Sequence, residues 1–237
     1  MILAIESATP CGSVALVSGE RLLGERVLPR EKQVSETFLA AIDRLFEESG
    51  RKTGELTHVA VSAGPGSFTG LRVGMAAAKG FCLGWDLPIV PVPTLHALAS
   101  RFPAKAVPVC PVLDARKKEV YAGVFRWQGG ECLRIVPDAA VPPDALPDWF
   151  PEGKVFFCGD GTIPYADLFR RRMGGRAFFP PPGEGLPRAS AVGFLAERMV
   201  RRGETGEPRT VVPAYLRRSE AETRRSRENL ADPQIDN

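Results

Sequence analysis

The stretch that most constrains the fold is a glycine-rich turn that leads directly into a helix. Residues 62–80 read SAGPGSFTGLRVGMAAAKG, with Gly64-Pro65-Gly66 after a short apolar run and Ser67 before a helical pattern. Such a turn can present backbone amides at a helix N-terminus, where an anion could bind. No lysine followed by Ser or Thr comes after the glycines in the Walker arrangement, so this stretch is not a P-loop.

Within the predicted helix, small residues recur at every fourth position, at Gly70, Gly74 and Ala78. Glycine inside a helix costs roughly 1 kcal/mol relative to alanine, so the strip predicts that another surface approaches closely. The helix is apolar nearly all round and should be buried on two sides, of which one is its own sheet. We interpret the other side as a subunit interface, with packing wholly inside the fold as the alternative. The predicted interface residues are Ser67, Gly70, Leu71, Val73, Gly74, Ala77, Ala78 and Phe81.

No catalytic residue and no metal site are predicted. Ser67 is expected to cap the helix, because its hydroxyl can accept a hydrogen bond from a free amide of the first turn. A serine nucleophile generally needs a neighbouring base, and no GxSxG elbow is present. His58 and His96 are the two histidines of the chain, and there is no HxxxH, HExxH or CxxC pattern. A protein metal site usually needs three or four ligands at characteristic spacing.

The first 104 residues alternate apolar runs with turns and amphipathic segments. Residues 1–5 and 12–17 are apolar runs on either side of a polar turn, and a third strand is predicted at about 21–28. A helical pattern starts at Val34, a strand follows at 58–61, and further helices and a strand come after it. The predicted order is βββαβαβα, which makes a mixed five-stranded sheet flanked by helices.

After Pro103 the pattern starts again, with apolar runs at 107–113 and 119–127 and a strand entering a glycine loop at 156–161. This weak internal duplication predicts an α/β fold of two similar lobes, the actin-like (ASKHA, RNase H-like duplicated) architecture. We expect an N-terminal lobe at 1–104 and a smaller C-terminal lobe at 105–218. Residues 219–237 have few apolar side chains to bury and are predicted to be a disordered tail.

In an actin-like fold, the turn between the first two strands is a candidate nucleotide-binding site. Actin-like kinases place an acidic residue and small hydroxyl residues there, to hold Mg²⁺ and phosphates. The second lobe should supply another acidic group, and the Gly159-Asp160-Gly161 loop is the sole candidate. We therefore predict a degenerate phosphate loop rather than a working ATPase, with no cofactor beyond weak or vestigial nucleotide binding at the lobe interface. The candidate loop residues are Glu6, Ser7, Thr9, Gly12 and Ser13.

Composition narrows the protein class. The formal net charge is +3 with acidic and basic residues interspersed, which gives no argument for direct nucleic-acid binding. The five cysteines form no CxxC pair, and the N-terminus lacks the basic flank and apolar run of a signal peptide. No window reaches the ~20 apolar residues of a membrane span. We expect a cytoplasmic protein with reduced thiols.

Four motifs together resemble a known family. They are MILAIESAT at 1–9, CGSVAL at 11–16, GPGSFTGLRVG at 64–74 and PAYLR at 213–217. The chain closely resembles the TsaB (YeaZ) family from residue 1 to about 218. One departure is Glu6, where the family commonly has aspartate, and the longer side chain is less suited to Mg²⁺ coordination.

The resemblance implies a non-catalytic scaffold in the pathway that forms N6-threonylcarbamoyladenosine at position 37 of tRNAs reading codons that begin with adenine. The implied partners are a TsaD-like transferase, a TsaE-like ATPase in the assembled complex and, indirectly, tRNA, with a homodimer in isolation and no membrane contact. The HxxxH motif of the TsaD family is absent here. The alternative function is enzymatic, either an actin-like ATP-dependent phosphotransferase using Glu6 and Thr9 or a glycoprotease-like peptidase.

Overall fold

Two five-stranded sheets flanked by helices make up this computed structural model, which describes residues 1–28, 34–103 and 106–217, without the side chains of 34–37. The first sheet contains β1 (Ile2–Glu6), β2 (Ser13–Ser18), β3 (Arg21–Val27), β4 (His58–Gly64) and β5 (Ile89–Pro93). The second contains β6 (Val109–Arg116), β7 (Glu119–Gln128), β8 (Glu131–Val141), β9 (Val155–Cys158) and β10 (Ala177–Phe178). The α-helices are α1 (Val34–Ser49), α2 (Phe68–Trp85), α3 (Thr94–Ser100), α4 (Thr162–Met173) and α5 (Ala189–Arg201).

Both sheets have the same arrangement of strands. The first has the order β3-β2-β1-β4-β5, and the second has the order β10-β9-β6-β7-β8. In each, three antiparallel strands are followed by two strands parallel to the first strand of the unit. This repetition confirms the predicted two-lobed actin-like fold and the mixed sheet of the N-terminal lobe. The predicted order βββαβαβα is also confirmed for the first lobe.

Helices cover both faces of the first sheet. Side chains of α1 and α2 pack on one face, where Phe38 and Met75 are buried beside Leu3 and Ile5. Helices α3 and α5 cover the other face. Gly193 of α5 lies so close to β2 that a Cβ atom there would be 2.7 Å from a Val17 methyl carbon. Helix α5 therefore packs on the first sheet although it follows the second in sequence.

The second sheet is covered by α4 and a 3₁₀ helix at Pro143–Trp149 on one face. The rings of Phe157 and Phe169 stack there with centroids 4.6 Å apart. Helix α3 packs its Leu95 and Leu98 against the other face, so it contacts both sheets. The division into lobes at residue 104 stays a prediction. The proposed tail at 219–237 lies outside the described residues.

Residues 211–217, here called the C-terminal strap, run back between the two lobes. The amide of Ala214 donates a 2.7 Å hydrogen bond to the carbonyl oxygen of Ala63, at the end of β4. Arg217 forms a 2.7 Å ion pair with Glu119 at the start of β7. The Tyr215 ring packs on Phe68 with centroids 4.9 Å apart. The strap therefore ties the turn before α2 to the second sheet.

Candidate functional site

The glycine strip of α2 faces the interior of the chain. Gly70 and Gly74 are buried, and a Cβ atom at either position would collide with Ser7, through its carbonyl oxygen at Gly70 and its side chain at Gly74. Leu71 and Ala78 are also fully buried. The predicted partner contact through these four residues is therefore wrong. The closely approaching surface is the chain's own turn between β1 and β2.

The opposite side of α2 is accessible. Here the term outer face of α2 means Val73, Ala76, Ala77, Gly80, Leu83 and Gly84. A Cβ atom at Gly80 or Gly84 would meet no atom within 4 Å, and the Leu83 side chain is 55% exposed. Two predicted interface residues, Val73 and Ala77, are half-exposed and belong to this face. Phe81 lies beneath it, stacked on Trp85 at 5.2 Å.

Ser67 is exposed at the N-terminus of α2 and has the predicted role. Its Oγ accepts a hydrogen bond from the Gly70 amide at 3.3 Å, which confirms it as the helix cap. The histidine rings bond elsewhere, His58 to Thr57 Oγ1 and His96 to the Cys132 carbonyl oxygen. Burial lowers the pKa of both histidines. Over 1–28, 34–103 and 106–217, no group of three His, Cys, Asp or Glu side chains could hold a metal.

The β1–β2 turn wraps around the carboxylate of Glu6, which is fully buried. Its Oε1 accepts a 2.8 Å hydrogen bond from the Ala8 amide, and the Thr9 amide also bonds this carboxylate. The Ser7 amide donates to Ser62 Oγ at 3.0 Å. Backbone amides that would bind a phosphate in an active loop are therefore used by side chains of the chain itself.

Burial raises the pKa of Glu6 to about 7, against the lowering effect of Ser62 and the Ala8 and Thr9 amides. The carboxyl of Asp160, in the second lobe, adds a further rise by like-charge repulsion. Burial also raises the pKa of Asp160 itself, whose Oδ1 accepts from the Asp114 amide at 3.2 Å. Burial therefore favours the protonated form of both carboxyls in the chain as described.

Ser13 and Thr9 of the turn are also engaged in hydrogen bonds, whereas Glu6 Oε2 and Ser7 Oγ are buried without a partner in the described structure. Ser13 Oγ accepts a 2.8 Å hydrogen bond from the Ala189 amide at the start of α5, and Thr9 Oγ1 donates to the Cys11 carbonyl oxygen. A Cβ atom on Gly12 would be 3.0 Å from the Phe38 ring. The five predicted loop residues thus lie together, and most of the polar groups around Glu6 bond within the chain; the degenerate phosphate loop stays a prediction.

Two contributors to this region were missed from the sequence. Ser62 precedes the glycine turn, and nothing in its spacing indicates that its hydroxyl would accept from the amide of Ser7. The strap was visible as the PAYLR motif, but its contact with the glycine turn was not predicted. None of the helices in the described ranges is long and apolar enough to cross a membrane.

Comparison with known proteins gives consistent matches. A family model described as TsaD, tRNA N6-adenosine threonylcarbamoyltransferase, matches residues 23–225. The tRNA threonylcarbamoyladenosine biosynthesis protein TsaB of Bacillus subtilis is 29% identical, over 94% of this chain and 96% of that protein. TsaB of Escherichia coli is also 29% identical, over 93% and 96%. The solved structure of YeaZ from Pseudomonas aeruginosa has a TM-score of 0.77 and 28% identity, covering 91% of this chain and 99% of the other. The chain therefore belongs to the family that the TsaD model describes and, within the actin-like ATPase superfamily, to its TsaB (YeaZ) members.

Proposed function

We propose that this chain is a non-catalytic subunit in the formation of N6-threonylcarbamoyladenosine at position 37 of tRNAs reading codons that begin with adenine. The printed names of the bacterial TsaB relatives support participation in this modification. The chain would bind and support a TsaD-like transferase, and a TsaE-like ATPase would join the assembled complex. Contact with tRNA would be indirect, through the partner subunits.

The observation that carries the proposal is the outer face of α2. It combines small residues that leave the helix backbone accessible with the exposed side chain of Leu83. Trp85 at the end of the helix and Leu39 of α1 are 44% and 56% exposed. Contiguous exposed apolar surface of this kind marks interaction sites, whereas single exposed apolar residues are ordinary. Gly80 and Gly84 would let a partner helix approach closely.

The absence of an assembled reaction centre in the described residues supports a partner role over an enzymatic one. The turn that would hold phosphates is closed around Glu6, and Ser67 caps α2. The group transfer would take place on the TsaD-like subunit. In isolation, the same outer face would pair with a second copy of this chain, so the homodimer and the heterodimer should compete.

The test is Gly80→Leu, which adds a side chain to the centre of the outer face where the chain itself leaves space. We expect at least a tenfold weaker Kd for the organism's own TsaD-like subunit in calorimetric titration, because close helix packing cannot accommodate leucine. Gly175→Leu is the matched control, since it is the same change at another exposed glycine with open space around it. Unchanged affinity in Gly80→Leu would contradict the proposal.

The competing enzymatic function has its own test. ATP hydrolysis and peptidase activity are measured on the isolated chain and on Glu6→Ala. The scaffold proposal expects neither activity above the buffer blank in either protein. Turnover by the wild type that Glu6→Ala abolishes would replace the scaffold with an actin-like phosphotransferase or a peptidase.

A further inference from the structure

A cleft of about 510 Å³ lies between α3, α5 and the second sheet, on the opposite face of the first sheet from α2. Here it is called the arginine cleft. Its volume is within the range of ~300–1,000 Å³ that is typical of small-ligand sites. Its charged lining consists of Arg101 after α3, Arg198 and Arg201 on α5, and Glu20 in the β2–β3 turn. Three guanidinium groups therefore face one carboxylate.

The three arginines contact backbone carbonyl oxygens rather than carboxylates. Arg101 donates to the carbonyl oxygens of Glu184, at 2.8 Å, and Leu186. Arg198 donates to Gly130 at 3.4 Å, and Arg201 donates to the Glu197 carbonyl oxygen at 3.3 Å. Among the residues that the structure describes, none of the three forms an ion pair within 4 Å, in contrast to Arg172 with Asp148 and Arg217 with Glu119.

The charge of Arg101 is partly removed from water. Arg101 is half-buried, and burial together with the nearby Arg188 lowers its pKa. A smaller pocket that shares Arg198 adds Arg134 and Arg202, each already paired with an acidic side chain. An anion in the arginine cleft would stabilise the charged form of Arg101.

Trp127 of β7 forms part of the cleft wall. It lines the cleft, and the guanidinium carbon of Arg198 lies 5.2 Å from its ring centroid. Its indole Nε1–H has no exposed surface, so the face of the ring rather than this donor lines the cleft, and the ring reports on what binds there. The side chains of Phe194 and Leu195 add apolar walls.

We propose that the arginine cleft binds the phosphate group of a nucleotide, with Arg101, Arg198 and Arg201 on the phosphate oxygens. Guanidinium groups match phosphate geometry through paired N–H donors. The cleft is larger than a phosphate ion, and its apolar walls would contact the ribose or the base. The nucleotide is either a free molecule or a unit of an RNA strand. The inference goes beyond the scaffold function and does not depend on it.

The test follows the indole N–H resonance of Trp127 in ¹⁵N-labelled full-length protein, assigned with Trp127→Phe. AMP is titrated first and an unmodified tRNA transcript second, both at one fixed salt concentration because phosphate contacts depend on salt. We expect a saturable shift of this resonance. Arg198→Gln should weaken the affinity at least tenfold, and Arg198→Lys should weaken it less. Arg170→Gln on α4 is the control, because Arg170 lies outside the cleft and should leave the affinity unchanged.

A shift by AMP that tRNA does not produce identifies a free nucleotide as the ligand, and the reverse identifies an RNA strand. No shift of the Trp127 resonance by either probe up to millimolar concentration overturns the proposal. Equal weakening by Arg170→Gln and Arg198→Gln also overturns it, because the binding would then be a general charge effect. If Arg198→Gln does not fold, the proposal is tested by the wild-type titration and by Arg201→Gln, which should also weaken the affinity. Partner affinity is measured separately, so failure here leaves the scaffold proposal standing.

Discussion

Helix α2 has glycines on both of its faces, and their surroundings differ completely. Gly70 and Gly74 meet Ser7 inside the fold, whereas Gly80 and Gly84 have no neighbouring atom within 4 Å of where a Cβ atom would lie. The spacing of four residues is the same in both pairs. A glycine strip therefore indicates that a close approach occurs or is allowed, but it does not tell which surface approaches.

The inner pair of glycines lets α2 pack directly on the β1–β2 turn. The Ser67 amide donates to the Ala8 carbonyl oxygen at 2.7 Å, and a Cβ atom on Gly66 would be 2.6 Å from the Ala8 methyl group. With Gly70 and Gly74 against Ser7, the N-terminal half of α2 covers the β1–β2 turn. Small residues on the inner face thus allow α2 to close over the turn.

The largest effect should come from Gly74→Leu. A Cβ atom at this position would be 2.7 Å from Ser7 Cβ, and the rest of the leucine side chain has no space in the buried contact. Overpacking costs about 1–3 kcal/mol or more per site, and here it displaces the turn that holds Glu6. We expect the free energy of unfolding in urea to fall by more than ~3 kcal/mol. A melting temperature equal to that of the wild type would show that the inner face is not tightly packed.

An effect of similar size at pH 8, but of opposite sign and with a distinct pH dependence, should come from Glu6→Gln. The folded-state pKa of Glu6 is raised from 4.5 to about 7, so the folded chain binds the proton more tightly than the unfolded chain. Ionised Glu6 therefore destabilises the fold, fully above about pH 7 and not at all below about pH 4.5. Since one pKa unit corresponds to about 1.36 kcal/mol, the difference between 4.5 and about 7 means that the variant should gain roughly 3 kcal/mol of stability relative to the wild type between pH 4.5 and pH 8.

The measurement is the difference in unfolding free energy between Glu6→Gln and the wild type, from pH 4.5 to 8. Taking the difference removes the contribution of other groups that titrate in this range, such as His58. The difference should grow as pH rises. A constant difference would mean that Glu6 has an ordinary pKa and that the turn is more open than the structure shows.

Most of the fold could be predicted from the sequence because it depends on local patterns. The apolar runs of β1 and β2, the helical periodicity after Val34 and the repetition after Pro103 each follow from residue spacing. The repetition of the sequence pattern corresponds to the matching strand orders of the two sheets. Helix α5 shows the limit, since its apolar stripe predicts burial but does not tell which sheet it packs against.

The candidate site was predictable only in part. The residues around Glu6 were correctly grouped, because a short turn brings them together. The inner and outer faces of α2 were not predicted correctly, because both faces have small residues and only the tertiary packing distinguishes them. The arginine cleft was missed since Arg101, Trp127 and Arg198 are far apart in sequence and come from three elements.

Ser67→Ala tests the boundary between the two faces, where α2 begins. The change removes the hydroxyl that accepts from the Gly70 amide, and loss of such a cap typically costs ~1 kcal/mol. We expect a decrease of that size in the free energy of unfolding and unchanged affinity for the TsaD-like subunit. A loss of tRNA modification in a reconstituted assay without a change in binding would instead give the glycine turn a functional role.

The smallest effect on stability should come from Gly80→Leu. We expect it to stabilise the chain, whereas Gly74→Leu destabilises it. The position is exposed and surrounded by open space, so leucine creates no clash within the chain. Leucine also favours the helix more than glycine, by up to ~0.8 kcal/mol. We therefore expect a slightly higher melting temperature for dilute, monomeric protein in calorimetry, together with a weaker homodimer in sedimentation. The same substitution would then destabilise the chain at Gly74 and stabilise it at Gly80. Destabilisation by Gly80→Leu in the monomer would mean that the outer face packs within the chain, and the contrast between the two faces would be lost.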